Sequence, residues 1–340
     1  MSMLDGPEHQ TPVRALHLEL PNFRAPIRHY RSKPTHTDGA LDLAAGLTPV
    51  WVFRGRLAEG LDWTRRSLAA ARPGPCPLRL AALNAAGSML AVAGDLQGGR
   101  ALLREALHLV WARNDHRSEG TVLVNLGLTF LHEGDIDEAR KSLASAVAML
   151  RRGENAAELA RGLTAYASAL LRSGAWAASE EVLREARSVA VAVGNPRIQA
   201  ETALAHAEIV SATHDADGIR AVLLEALEGF SALEDVRGLG QCFGALARLE
   251  ARNGQWRQAA LLTGAAEGAR HDSYAEIPPI DLAETLSTVL TLREALGDAE
   301  CDVAWNEGRE APWRRTGDVV IRGEPNGQPA KPQPQRERAL

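Results

Sequence analysis

Aromatic residues make up only 4% of the 340-residue chain, and Tyr and Phe together number eight. Strand-forming chemistry is therefore scarce. Cysteine occurs three times, at Cys76, Cys242 and Cys301, with no CxxC pair, so neither a disulfide framework nor a zinc knuckle is readable, and a reducing cytoplasm suits the chain best. Lysine also occurs three times, at Lys33, Lys141 and Lys331, preceded by Ser, Arg and Ala. None of them completes a GxxxxGK[ST] loop, in which backbone amides and a lysine face nucleotide phosphates. No segment reaches the ~18 apolar residues of a membrane span. The opening MSMLDGPEHQ is polar where an export signal needs an apolar run, so neither anchoring nor export is expected. Positive charge is not in excess: 38 Lys plus Arg stand against 43 Asp plus Glu, a formal charge of -5. That balance gives no electrostatic reason to approach DNA or an anionic membrane, and direct nucleic-acid binding is not expected.

What the chain has in plenty is alanine, 59 residues of it, within a 45% hydrophobic composition. Helix-favouring chemistry with enough apolar material for a core predicts an all-α fold. Self-similarity then organises it. Turn positions recur at Gly55, Gly94, Gly134, Gly174, His214 and Gly254, about forty residues apart, and a phrase such as AGDLQGGRALLREAL (93–107) or EGDIDEARKSLASAV (133–147) surrounds each. Small residues mark the same places in successive copies: Gly87, Gly127, Ala167, Ala207 and Ala247 before the turn, and Ala106, Ala146, Ala186, Ala226 and Ala266 after it. Helices approach closely only where side chains are small. Between these positions apolar residues follow helical spacing, as with Val122, Leu126 and Phe130, then Ile136, Ala139 and Leu143.

Each copy thus predicts two amphipathic helices. The Gly ends the first, and Asp95 or Asp135 caps the second. A second set of breaks separates the copies, at Pro73–Pro77, Asn114-Asp115, Gly153–Asn155, Gly194–Pro196 and Glu234-Asp235. One hairpin cannot bury its apolar face alone, so hairpins must stack into a curved α-solenoid of about six units. The organisation expected is an N-terminal remnant, partly disordered, over 1–38, the solenoid over 39–273, a C-terminal helical cap over 274–311, and a disordered Pro/Arg-rich tail over 312–340. Within that tail Asp318–Arg322 is the only strand-like run.

The stretch Asn125-Leu126-Gly127-x-x-Phe130-x-x-x-Gly134-Asp135-x-x-x-Ala139-x-x-x-Leu143-x-x-Ala146 resembles a tetratricopeptide repeat of a longer, forty-residue variety. The phrases Leu18–Ala25 and Trp51–Trp63 before the array, and Ala259–Ala269 with Ala304-Trp305-x-x-Gly308-Arg309 after it, are similar to the flanks of the sensor arm in AfsR- and LuxR-type (MalT-like) STAND transcriptional regulators. The resemblance implies that arm without its ATPase and DNA-binding domains, for which the sequence leaves no room. It departs at Pro26 and at Arg31–Gly39, where the first helix is interrupted.

No HExxH, GxSxG or strand-borne GxGxxG is present, and the ten histidines lack metal-ligand spacing. No enzyme, metal or cofactor is expected. Asp135 and Asp137 read as helix-start acids rather than calcium ligands, Trp176 and Trp256 as core wedges, and Cys242 as a small buried hydrophobe. Function is expected on the concave surface made by the first helices. There the resemblance places Thr121, Val124, Leu128, Leu131 and His132 in the third copy, and Arg161, Thr164, Ser168, Leu171 and Arg172 in the fourth. The fifth offers Glu201, Leu204, Glu208 and Ser211, and the sixth Gln241, Gly244, Arg248, Ala251 and Arg252. Arg161, Ser168 and Arg172 share one helical stripe, beside leucines suited to an acidic peptide. Against this stands the plainer reading that these charges solvate a face. The functional expectation is a cytoplasmic, non-enzymatic protein-interaction or effector-sensing module linked to transcriptional regulation. The alternative is a stand-alone receptor for a small molecule or signalling peptide acting in trans on a separate regulator.

Overall fold

The computed structural model describes residues 37–53, 56–71, 74, 76–211 and 216–322, together with 19, 22, 23 and 29. The described residues are all-α, without a strand. The helices are α1 (Thr37–Gly46), α2 (Thr48–Phe53), α3 (Leu57–Ala70), α4 (Pro77–Val92), α5 (Leu96–Arg113), α6 (His116–Glu133), α7 (Ile136–Leu150) and α8 (Ala156–Arg172). They continue as α9 (Trp176–Val193), α10 (Pro196–Val210), α11 (Ala216–Leu233), α12 (Val236–Arg252), α13 (Trp256–Ser273), α14 (Pro279–Leu296), α15 (Asp298–Glu310) and α16 (Trp313–Arg322). From α4 to α13 they form five antiparallel hairpins, each packed on the next, and α1 to α3 complete the N-terminal unit: the chain is an α-solenoid.

The turns follow from two local devices. Gly134 adopts φ 87°, and its amide closes the end of α6 on the carbonyls of Leu131 and Phe130. A left-handed residue there costs a side-chain-bearing residue what glycine avoids. Asp135 then caps α7 by accepting from the Glu138 amide, and Asp95, Asp115, Asn155, Asn195 and Asp235 do the same for their own helices. Asp135→Ala should cost about 1 kcal/mol, read as a shift of the urea midpoint at constant slope. The small-residue register holds as well. A Cβ on Gly127 would stand 2.5 Å from Leu143 Cγ, and Ala106, Ala146, Ala186, Ala226 and Ala266 are buried. The turns expected at Gly55 and His214 lie outside the described residues, as do 323–340 and nearly all of 1–36, Pro26 included.

Three expectations are overturned. Asp318–Arg322 is not strand-like: it belongs to α16, where Trp313, Val320 and Ile321 pack with Thr316 and Gly317 against α11, α12 and α13. Apolar and small residues at 313, 316, 317, 320 and 321 have helical, not alternating, spacing, so 313–322 is part of the ordered fold. Trp176 is not a core wedge but is 53% exposed. Trp256, at the matching place, is covered by the cluster of α14 and α15, and no described element covers Trp176 in the same way. Val124 is fully buried between hairpins, and Ala251 is buried too, so neither faces the groove.

The C-terminal helices behave differently from one another. α15 crosses α13 at backbone distance, with Gly308 over Leu261 and Gly264 under Trp305. α14 instead turns back over the concave side, touching α6, α12 and α13. Its outward face shows Leu282, Leu286 and Leu290 to solvent. The Glu276 amide donates to the Val92 carbonyl at 3.2 Å, and α2 touches α12, so the sixth unit meets the first two.

Candidate functional site

Closure of the curve turns the concave surface into a cavity of about 720 Å³. Every first helix from α4 to α12 supplies part of its wall, since their inner faces point to one axis. α13, the 275–278 segment and the inner face of α14 complete it. Apolar surface comes from side chains such as Leu128, Ile198, Leu204 and Ile280, among small alanines. Neutral polar groups satisfy each other across hairpins: Asn125 Nδ2 donates to Asn84 Oδ1 at 2.9 Å, and Thr164 and Thr202 share a 3.1 Å hydroxyl contact.

Charge is concentrated at the N-terminal ends of α8, α10 and α12. Arg197 is buried, with Nη1 2.6 Å from Glu201 Oε1 and Nε donating to Asp235 Oδ2 at 3.0 Å. Asp235 Oδ1 also accepts from the Gly238 amide, so the α12 cap is tied to the network. Arg161 Nη1 donates to Glu158 Oε1 at 2.7 Å, while Glu158 Oε2 is buried without a hydrogen-bond partner. Burial pushes the Glu201 carboxyl up, but the charges of Arg197, Arg161 and Arg237 outweigh it and hold the group below its ordinary value. His132, facing this region, is held at about 4 by burial and then by the positive charge of Arg237. It is a neutral imidazole at physiological pH.

Of the residues expected in the groove, Leu128, Leu131, His132, Arg161, Ser168, Arg172, Glu208 and Arg248 are among those that line the cavity. Leu171 and Arg252 do not. Leu171 packs into the cluster of α7 to α10, and Arg252 donates to the Ser211 carbonyl at 3.2 Å. The arginines are also not free cations awaiting an acidic peptide. Arg172 pairs with Asp281 at 2.6 Å and Arg248 with Glu284 at 3.4 Å, both on α14. The groove end that the sequence offered to a partner is spanned by the chain's own helix. Glu208 sits beneath it, its carboxyl pushed above the ordinary value by burial, with Arg172 and Arg248 opposing and Asp281 and Glu284 reinforcing.

No family model and no curated protein matches the chain. Among solved structures it is similar to the crystal structure of BtubC (BKLC) from P. vanneervenii, at 17% identity and a TM-score of 0.43, over 73% of this chain and 96% of that one.

The residues that sequence reasoning missed are Arg197 and Arg237. The signal for them was present: Gln241 and Glu201 were placed on the groove stripe, and one helical turn toward the N-terminus from each stands Arg237 and Arg197. A basic residue in the first turn of a helix reads from sequence as solvated, because the dipole there disfavours it. The contribution of 275–281 and α14 had no such local signal. Among the described residues no group of three or more His, Cys, Asp or Glu is placed to hold a metal, and no helix is long and apolar enough to cross a membrane. Cys242 is buried, and burial pushes its thiol well above the ordinary value, away from reactive thiolate chemistry.

Proposed function

We propose that the chain is a non-enzymatic, effector-sensing module of tetratricopeptide type, similar to the sensor arm of AfsR- and LuxR-type STAND regulators. Its occupied and empty states would be read by a separate regulatory protein. The observation that supports this is the cavity itself: one continuous concave space whose wall takes side chains from all five hairpins and from α14. A ligand there touches every unit of the stack at once, so differential affinity for two curvatures shifts the whole solenoid between them. The alternative, a receptor for a small molecule acting in trans, gains from the same enclosure. With Arg172 and Arg248 paired to α14, a compact effector fits better than a protein segment laid along an open groove, and the volume is in the range of small-molecule sites, about 300–1,000 Å³.

The test is thermal unfolding of the full chain against a panel of metabolites and short peptides. At least one compound class should raise stability saturably, by about 2.7 kcal/mol at a hundredfold excess over its Kd. Ser168→Trp, which fills the cavity, should abolish that gain while leaving the apo fold intact. Conversion of the stabilising compound into a product would defeat the non-enzymatic reading, and stabilisation that survives Ser168→Trp would move the site elsewhere.

A further inference from the structure

Among the described residues two arginines of the cavity wall, Arg237 and Arg270, make no side-chain hydrogen bond or ion pair. Arg237 lines the wall from the first turn of α12, and no hydrogen bond or ion pair of its side chain exists among the described residues. The carboxylates nearest to it in charge are engaged elsewhere: Glu201 by Arg197, and Asp235 by both Arg197 and the Gly238 amide. Its surroundings are enclosed enough that burial, then Arg197, pull the guanidinium below its ordinary value. It nonetheless stays protonated, as guanidinium does in proteins. The part of its surface left accessible therefore faces the cavity. A guanidinium set into a cavity wall with its donors unpaired carries a desolvation cost, which an acceptor on a ligand offsets.

The geometry points to Arg237 as the counter-ion of a bound small organic monocarboxylate, its apolar body lying along Leu128, Ile198 and Leu204. This rests on the effector-sensing reading and specifies the ligand class. Its neighbour His132 is neutral near neutral pH, so at this part of the wall a carboxylate meets one unpaired guanidinium, whose planar fork matches it in two hydrogen bonds. Arg270 has only acids, Glu267 and Glu276, among the charges acting on it, whereas Arg237 stands in the field of Arg197 and Arg161 as well as of Asp235 and Glu201, so the carboxylate is placed at Arg237. Glu208 stands seven residues along α10 from Glu201, on the order of 10 Å away. Asp281 and Glu284 lie beside Glu208. A second carboxylate at the far end of the ligand would meet acid there, so a dicarboxylate of equal length is disfavoured. The carboxylate is the chemistry recognised, and a free acid is the source that enclosure by α14 favours over a peptide C-terminus.

Isothermal titration calorimetry on the full chain tests this, with decanoate as the probe, decanol and decanedioate as controls, and the tetrapeptide Ala-Leu-Ala-Leu with its C-terminal amide. Decanoate should bind saturably at one per chain. Arg237→Gln should weaken it by about tenfold or more while leaving decanol unchanged, and decanedioate should bind more weakly than decanoate. Because Arg237→Met removes no hydrogen bond or ion pair, it should melt no lower than wild type. The assignment is overturned by absence of saturable decanoate binding, by equal affinity in Arg237→Gln, or by a lower melting temperature in Arg237→Met, which would mark a structural cation. Binding of the tetrapeptide acid without decanoate would overturn the free-acid assignment in favour of a peptide C-terminus. If some other compound passes the cavity test with Ser168→Trp but decanoate fails, the effector-sensing reading stands and this one falls.

Discussion

Gly308→Ala should destabilise the protein by about 3 kcal/mol or more, the largest single-residue effect expected outside the cavity. A Cβ at 308 would sit 1.9 Å from the Leu261 carbonyl oxygen and 3.0 Å from the Ala265 amide nitrogen. Those are backbone atoms of α13, which cannot swing aside as a side chain can, so the whole of α15 must move outward. Overpacking of ordinary cores costs about 1–3 kcal/mol. This crossing should reach the top of that range, because Gly264 faces Trp305 in the same way: a Cβ added there would stand only 2.0 Å from the Trp305 carbonyl oxygen. Separating the helices uncovers Cys301 and Ala304, both now fully buried with Leu292 of α14. Gly317→Ala is the control, since only Ser231 Oγ lies within 4.0 Å of the new carbon. There the gain in helix propensity should leave stability unchanged or raise it by about 0.5–1 kcal/mol. Urea unfolding of both variants checks the pair, and an equal loss in the two would show that α15 does not cross at backbone distance.

The second large effect is a dependence on acid. His132 is held at about 4 in the folded protein by burial and by Arg237, whereas in the unfolded chain it takes a proton near the ordinary histidine value of 6.5. Between those two values the unfolded state binds a proton that the native state refuses, so stability is fully present above pH 6.5 and falls as the pH drops toward 4. At about 1.4 kcal/mol per pH unit the loss attributable to this group is about 3 kcal/mol. His132→Gln should flatten that limb: its stability at pH 4.5 relative to pH 7 should exceed the wild-type ratio by most of that amount. Histidine titration followed by NMR provides the second reading. His132 should stay neutral down to about pH 4 in wild type and titrate higher in Arg237→Gln, where the repelling positive charge is removed. A His132 resonance titrating near 6.5 in the wild-type protein would place the imidazole in bulk solvent and refute the enclosure.

The hairpin ladder was legible because its causes are local and repeated. A glycine at φ 87°, an aspartate accepting the amide three residues on, and a small residue opposite a leucine are each written within forty residues and recur in copy after copy. The groove was legible for the same reason, as the remaining face of helices whose packed face was known. Its pairing was not. Arg172 and Asp281 are 109 residues apart in sequence, and their meeting depends on the summed rotation of successive hairpins, a quantity to which each interface adds little and which no single residue specifies. Arg237 was missed from the opposite cause. Its stripe was visible, but whether a first-turn arginine faces solvent or a closed space is settled by that same accumulated curvature. The tail was misjudged because five residues fit a strand only when Trp313 and Thr316 are left out of the period.

An open stack of helical hairpins can come apart one unit at a time, since a terminal unit has a neighbour on one side only. The hydrogen bond from Glu276 to Val92 and the meeting of α2 with α12 remove that weak point. Neither terminal hairpin can fray without also releasing the other, so the molecule is clasped, and loosening at either end is felt around the whole ring.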